Sequence, residues 1–123
     1  MIKSILIPTD GSVNSTIALD YGIHIAGLFK AEITGLNVVD IRSLEGPFLS
    51  DISGSLGFSP FQNFLPKFQK TLEDRGDMIL EAFEQHCQSH SITPTVKRQT
   101  GIISNIISDE AKRSDLVIVA QRG

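Results

Sequence analysis

At 123 residues, with 41% hydrophobic and 20% charged side chains, the chain is sized for one domain with a real core, and its composition argues against both disorder and a membrane-embedded protein. Its net charge of −3, with basic residues scattered as Lys97-Arg98 and Lys112-Arg113 and no interleaved aromatics, argues against a nucleic-acid partner. No apolar run approaches the roughly 20 residues of a membrane helix, Met1-Ile2-Lys3 leads straight into a strand, and the single Cys87 cannot close an internal disulfide, all of which fits a cytoplasmic protein.

Along the chain, apolar strands alternate with helical patterns. Ile5 to Pro8 reads as a first strand ending in the turn Thr9-Asp10-Gly11-Ser12. From Ser12 to Phe29 the residues Ile17, Ala18, Tyr21, Ile25, Ala26, Leu28 and Phe29 recur at roughly helical spacing, and Ser12 or Asn14 can cap the start. Glu32 to Val39 is a second strand with Ile33, Leu36, Val38 and Val39 as its apolar positions. Ile41 to Pro66 breaks the rhythm with Gly46, Pro47, Gly54, Gly57, Pro60 and Pro66 and reads as a long loop. Its Phe48, Phe58, Phe61 and Phe64 suit a flap folded over the core, with a partner-binding surface as the alternative. Phe68, Leu72, Ile79, Phe83 and Cys87 then keep one face of a long helix ending near His90. Thr95 to Gln99, with its charges, predicts an edge strand. Gly101 turns the chain into a short helix carrying Ile103, Ile106, Ile107 and Ala111. Asp115 to Ala120 is apolar on successive residues, as a strand covered on both faces should be. The order β-α-β-α-β-α-β defines an α/β domain, an open parallel sheet with helices on both faces.

In such sheets ligands bind beyond the carboxyl ends of the strands, which places Asp10 at a ligand edge. Asp10 can contact a ligand there, or it can simply shape the turn before the helix; Gly11 supplies turn flexibility. His24, His86 and His90 fall on helices without a second ligand type at metal spacing, so they are expected to be solvated or packed. His24-Ile25-Ala26-Gly27 lies too deep in the first helix to serve as a nucleotidyltransferase motif. Cys87 has no nearby activating group in sequence and reads as a helix-face residue. Neither Gly-x-Gly-x-x-Gly nor Gly-Lys-Ser/Thr follows the first strand, against a dehydrogenase or a P-loop enzyme. The third strand ends in Arg98-Gln99-Thr100-Gly101, without the aspartate of a phosphoacceptor receiver. No Ser/His/Asp arrangement can be placed on strand ends, so the reading is not an enzyme.

Taken in order, Pro8-Thr9-Asp10-Gly11-Ser12, Ser15 and Ala18, Gly35-Leu36-Asn37-Val38-Val39-Asp40, Gly101, and Asp115-Leu116-Val117-Ile118-Val119 before Arg122-Gly123 resemble the universal stress protein family. The resemblance runs over essentially the whole chain and is weakest from Ile41 to Pro66. It implies a Rossmann-like, adenine nucleotide alpha hydrolase-like fold, a five-stranded parallel sheet whose final helix and strand would follow Gly123. On that view residues 1–123 are one C-terminally incomplete domain, as a homodimer or as the first half of a tandem pair. The family divides into adenine-nucleotide binders and non-binders.

For a binder, the resemblance implies that adenine and ribose sit against Pro8, Thr9, Asp10 and Val38, and phosphates against Val119, Ala120 and Gly123. The ligand would be ATP, ADP or AMP, with or without magnesium. The family's phosphate turn is Gly-x-x-Gly followed about nine residues on by Gly-Ser or Gly-Thr, because glycine lets backbone N–H groups approach the oxygens. Ala120 stands where the first of those glycines belongs and adds one Cβ at the point of approach. Two functions follow: a nucleotide-binding regulatory module of the stress response, or a nucleotide-free dimerising scaffold that works through protein contacts, with the 41–66 loop as its surface.

Overall fold

A computed structural model describes residues 1–40 and 64–120. Its elements are β1 (Ser4–Pro8), α1 (Val13–Phe29), β2 (Glu32–Asp40), α2 (Phe64–Gln88), β3 (Thr95–Gly101), α3 (Ile103–Ala111) and β4 (Leu116–Val117). The strands form one parallel sheet in the order β3-β2-β1-β4, with Ile5 opposite Ile33 and Leu116, and Gly35 opposite Val96. β3 is an edge strand, as its charges predict. On one face α1 and α2 cover Ile5, Ile7 and Ile33 with Ala18, Leu19, Ala26, Phe83 and Cys87. On the other face Ile103 and Ile107 of α3 approach Leu36 and Val38. Ile5, Leu6, Ile7 and Leu36 are fully buried, so β1 and β2 run down the middle of the core.

Several expectations change on contact with packing. α1 buries Ser15, Ala18, Leu19, Gly22 and Ala26, while Ile17, Tyr21, Leu28 and Phe29 are exposed. Apart from Leu19 the buried stripe is built from small residues because the helix lies close to the sheet: a Cβ on Gly22 would stand 2.4 Å from Ile7 Cδ1. Ser12, rather than Asn14, caps the helix, its Oγ accepting from Ser15 N at 3.2 Å. α2 starts at Phe64, so the end of the expected loop is helical. Pro66 is tolerated there because it sits in the first turn, where its missing N–H has no intrahelical partner to lose. Phe48, Phe58 and Phe61 lie outside the described residues.

The last strand is shorter than Asp115 to Ala120 and, among the described residues, is not covered on both faces. Leu116 and Val117 are half-buried and pair with β1 alone; one further ladder bond, Ile118 N to Leu6 O at 3.0 Å, follows. Val119 is exposed. With no second neighbour strand among the described residues, β4 lacks the pairing that would extend it.

Ionic contacts, one of them on a buried carboxylate, fix the elements around this frame. Glu110 on α3 is buried and accepts from Lys97 Nζ at 3.2 Å and Gln99 Nε2 at 2.9 Å, tying α3 to β3. Burial alone would raise its carboxyl, but the bonds from Gln99 and Lys97 and the charges of Lys97 and Arg113 outweigh it and hold the group below the ordinary carboxylate range. Arg98 bridges β3 to α2, donating to Asp77 Oδ2 at 2.6 Å, Glu73 Oε2 at 3.2 Å and the Glu73 carbonyl at 3.0 Å. Cys87 lies on the same helix face as Phe83 and is fully buried in the core, and burial with the nearby Glu84 charge pushes its thiol up to about 11.

Candidate functional site

The site begins with the turn that ends β1. Gly11 has φ +80°, a left-handed conformation that a side chain would strain. Asp10 Oδ1 accepts from Ser12 N at 2.9 Å and from Ser15 Oγ at 2.7 Å, and Ser15 Oγ in turn accepts from Asp10 N at 3.3 Å. Ser12 Oγ lies 3.2 Å from Ser15 Oγ, and Gly11 N donates to Thr9 Oγ1 at 3.2 Å. A short stretch of chain thus satisfies its own donors, and the loop has one shape before any ligand arrives. The turn-shaping role foreseen for Asp10 is therefore present in the structure.

β2 supplies the next wall. Thr9 N donates to the Leu36 carbonyl at 2.8 Å, which extends the β1–β2 ladder past Pro8. The buried Asn37 donates from Nδ2 to the Thr9 carbonyl at 3.0 Å and clamps the turn onto the sheet. Room for Asn37 comes from α2: a Cβ on Gly76 would lie 2.4 Å from Asn37 Oδ1. Sequence spacing gives no sign of the role of Asn37: it lies within Gly35-Leu36-Asn37-Val38-Val39-Asp40, but its partner is Thr9, 28 positions earlier.

Six of the seven residues expected from sequence meet at one crevice. Pro8, Thr9, Asp10, Val38, Val119 and Ala120 line a cavity of about 120 Å³ at the carboxyl ends of β1, β2 and β4, together with Asn37 and with Ile103 and Ile107 of α3. The seventh, Gly123, lies outside the described residues. The cavity is smaller than the roughly 300 Å³ at which pockets for drug-sized ligands begin, so it has space for part of such a ligand. Two neighbouring cavities share part of its lining. A second cavity of about 230 Å³ shares Asp10, Asn37 and Val38 and is bounded by Leu72, Arg75 and Ile79 of α2. A groove of about 430 Å³ between α1 and α2 shares Thr9 and Ser15 and runs to His86. Apolar walls with backbone groups at a strand end can hold a flat heterocycle, and the exposed loop side is open to a polar extension.

Against known proteins, the model of the universal stress protein family matches residues 1–123, and the chain belongs to that family. A curated relative, universal stress protein MJ0531 of Methanocaldococcus jannaschii, is 26% identical over 125 residues. The match covers 100% of this chain and 66% of that protein, so the chain spans just under two thirds of its relative's length. Among solved structures, a universal stress protein family member from Burkholderia pseudomallei superposes with a TM-score of 0.73 at 17% identity, covering 98% of this chain and 82% of that one. Universal stress protein UspA from Lactobacillus plantarum gives a TM-score of 0.62 at 25% identity, covering 96% of this chain and 76% of that one. These structures share the parallel α/β fold derived above.

Proposed function

We propose that this chain is an adenine-nucleotide-binding regulatory module and not an enzyme. The observation that carries the reading is the convergence of Pro8, Thr9, Asp10, Val38, Val119 and Ala120 on one crevice, although they come from three separate strand ends. The adenine lies between Val38 and the α3 wall of Ile103 and Ile107, where its apolar faces replace water. The Thr9–Asp10 backbone, held rigid by Asn37 and Ser15, reads the edge of the base. The phosphates, with or without magnesium, follow the chain from Val119 and Ala120 towards Gly123. Regulation requires that nucleotide favour one conformation of the module over another, since only differential affinity shifts a population. A dimer or a second domain in tandem is the natural recipient of such a shift.

The test is thermal unfolding with and without magnesium ATP. A ligand that binds only the folded state stabilises it by about 2.7 kcal/mol at a hundredfold excess over Kd. A saturable rise in midpoint is expected, and Val119→Asp is expected to remove it by placing negative charge beside the phosphates. Val119 is exposed, so the variant should fold as the parent does. No rise at millimolar ATP would overturn the reading in favour of the nucleotide-free scaffold.

A further inference from the structure

The three histidines, expected from sequence to be solvated or packed on their helices, come close together in the structure, beside Asp20. His86 on α2 and His90 just past its end are four residues apart, and the winding continues between them because His90 N still bonds the Cys87 carbonyl at 3.0 Å. Their rings stand 5.3 Å apart at 60°. From α1, which α2 contacts through Leu19 and Phe83 in the shared core, Asp20 reaches across to place Oδ1 2.6 Å from His86 Nε2. One ligand atom from each of Asp20, His86 and His90 lies within 4.8 Å of the others. His24, one turn beyond Asp20 on α1, lines the same surface cavity as His90. Every histidine of the chain is thus gathered at one end of the α1–α2 seam.

We propose that Asp20, His86 and His90 form a binding site for a first-row divalent transition ion, with zinc as its natural probe. Two imidazoles and a carboxylate are a donor set that zinc accepts, with water completing a four-coordinate shell. The ion takes the place of the proton that His86 Nε2 and Asp20 Oδ1 share. Bonds of about 2.1 Å put two donors roughly 3.4 Å apart around a tetrahedral ion, so His86 and Asp20 open slightly and His90 swings inward. That adjustment is open to these side chains: Asp20 and His90 are exposed and His86 is only half-buried. Bound metal cross-links α1 to α2 at the far end of the groove whose other end is Thr9 and Gly11.

The test is zinc titration of the untagged chain in a non-coordinating buffer, read by calorimetry and by the unfolding midpoint. One equivalent should bind with a raised midpoint, and His90→Ala and Asp20→Asn should each weaken binding at least tenfold, the order of loss that follows when a metal site is disturbed. His90 is exposed and carries no core packing, so His90→Ala tests the site without testing the fold. Cys87→Ser should leave the affinity unchanged, because that thiol is buried. A dissociation constant weaker than about 100 μM, full affinity in His90→Ala, or loss in Cys87→Ser would each overturn the site.

Discussion

The two ends of β1 are both closed by an aspartate, and they are closed in opposite ways. At the carboxyl end Asp10 accepts from Ser12 and Ser15, its near neighbours in sequence, and the loop so formed borders open cavities on two sides. At the amino end Asp115 Oδ2 accepts from Lys3 N at 2.8 Å and Ser4 N at 3.1 Å, while its own N–H donates to the Ser4 carbonyl at 3.0 Å. That closure spans 111 residues and staples the start of β4 to the start of β1. The same carboxylate chemistry thus builds a preshaped rim at one end and a fastening at the other. What separates site from scaffold is whether the satisfied loop faces a cavity at the carboxyl ends of the strands.

If the carboxyl end is a preshaped rim, its support from below should be the most costly feature to disturb. Gly76→Val would drive a side chain into Asn37 and towards Arg98 Cδ, which a Cβ would already approach at 3.2 Å. Overpacking together with loss of the Asn37 clamp on Thr9 should cost about 3 kcal/mol in urea unfolding. A loss under about 1 kcal/mol would mean that the site tolerates a displaced Asn37 and that the rim is not held from α2. Asp10→Ala should cost less, about 1 kcal/mol, since it removes an acceptor from an exposed turn. Asp10→Asn, which keeps a carbonyl oxygen, should recover part of that loss. Equal stability of all three proteins would show that the turn does not depend on its side-chain bonds.

The sequence disclosed what is local or periodic. Four strands, three helices, the edge position of β3 and the turn at Asp10 followed from alternation, spacing and turn chemistry. The crevice residues followed from a family resemblance rather than from periodicity, which by type alone would put Val38 in the core. What stayed hidden depends on distance in sequence. The Asn37–Thr9 clamp, the Arg98 bridge to α2 and the meeting of Asp20 with His86 each join separate elements, so no window of residues contains them. α1 misled for a different reason. Its larger apolar residues mark a hydrophobic stripe in sequence, yet apart from Leu19 the sheet buries the small ones, Ser15, Ala18, Gly22 and Ala26, which allow close approach.

The fastening at the amino end gives the smallest effect and the clearest separation of the two ends. The backbone N–H groups of Lys3 and Ser4 hold the Asp115 carboxyl below its ordinary range against some desolvation, with the Ser4 hydroxyl and the amino-terminal charge adding to them. A carboxyl with a lowered folded-state pKa contributes stability that is present above its unfolded value and fades as pH falls through the folded one. Removing it in Asp115→Ala should therefore lower the unfolding midpoint near neutral pH, and the gap to the parent should narrow below the usual carboxylate range, as the parent loses the same contribution. Because Asp115 is exposed, the gap should be small. If the crevice binds nucleotide as proposed, its affinity should be unchanged at neutral pH, since Asp115 and the crevice lie at opposite ends of β1. A pH-independent gap would show that the side chain acts through packing rather than through its charge, and a parallel fall in nucleotide affinity would show that the two ends of the strand are coupled.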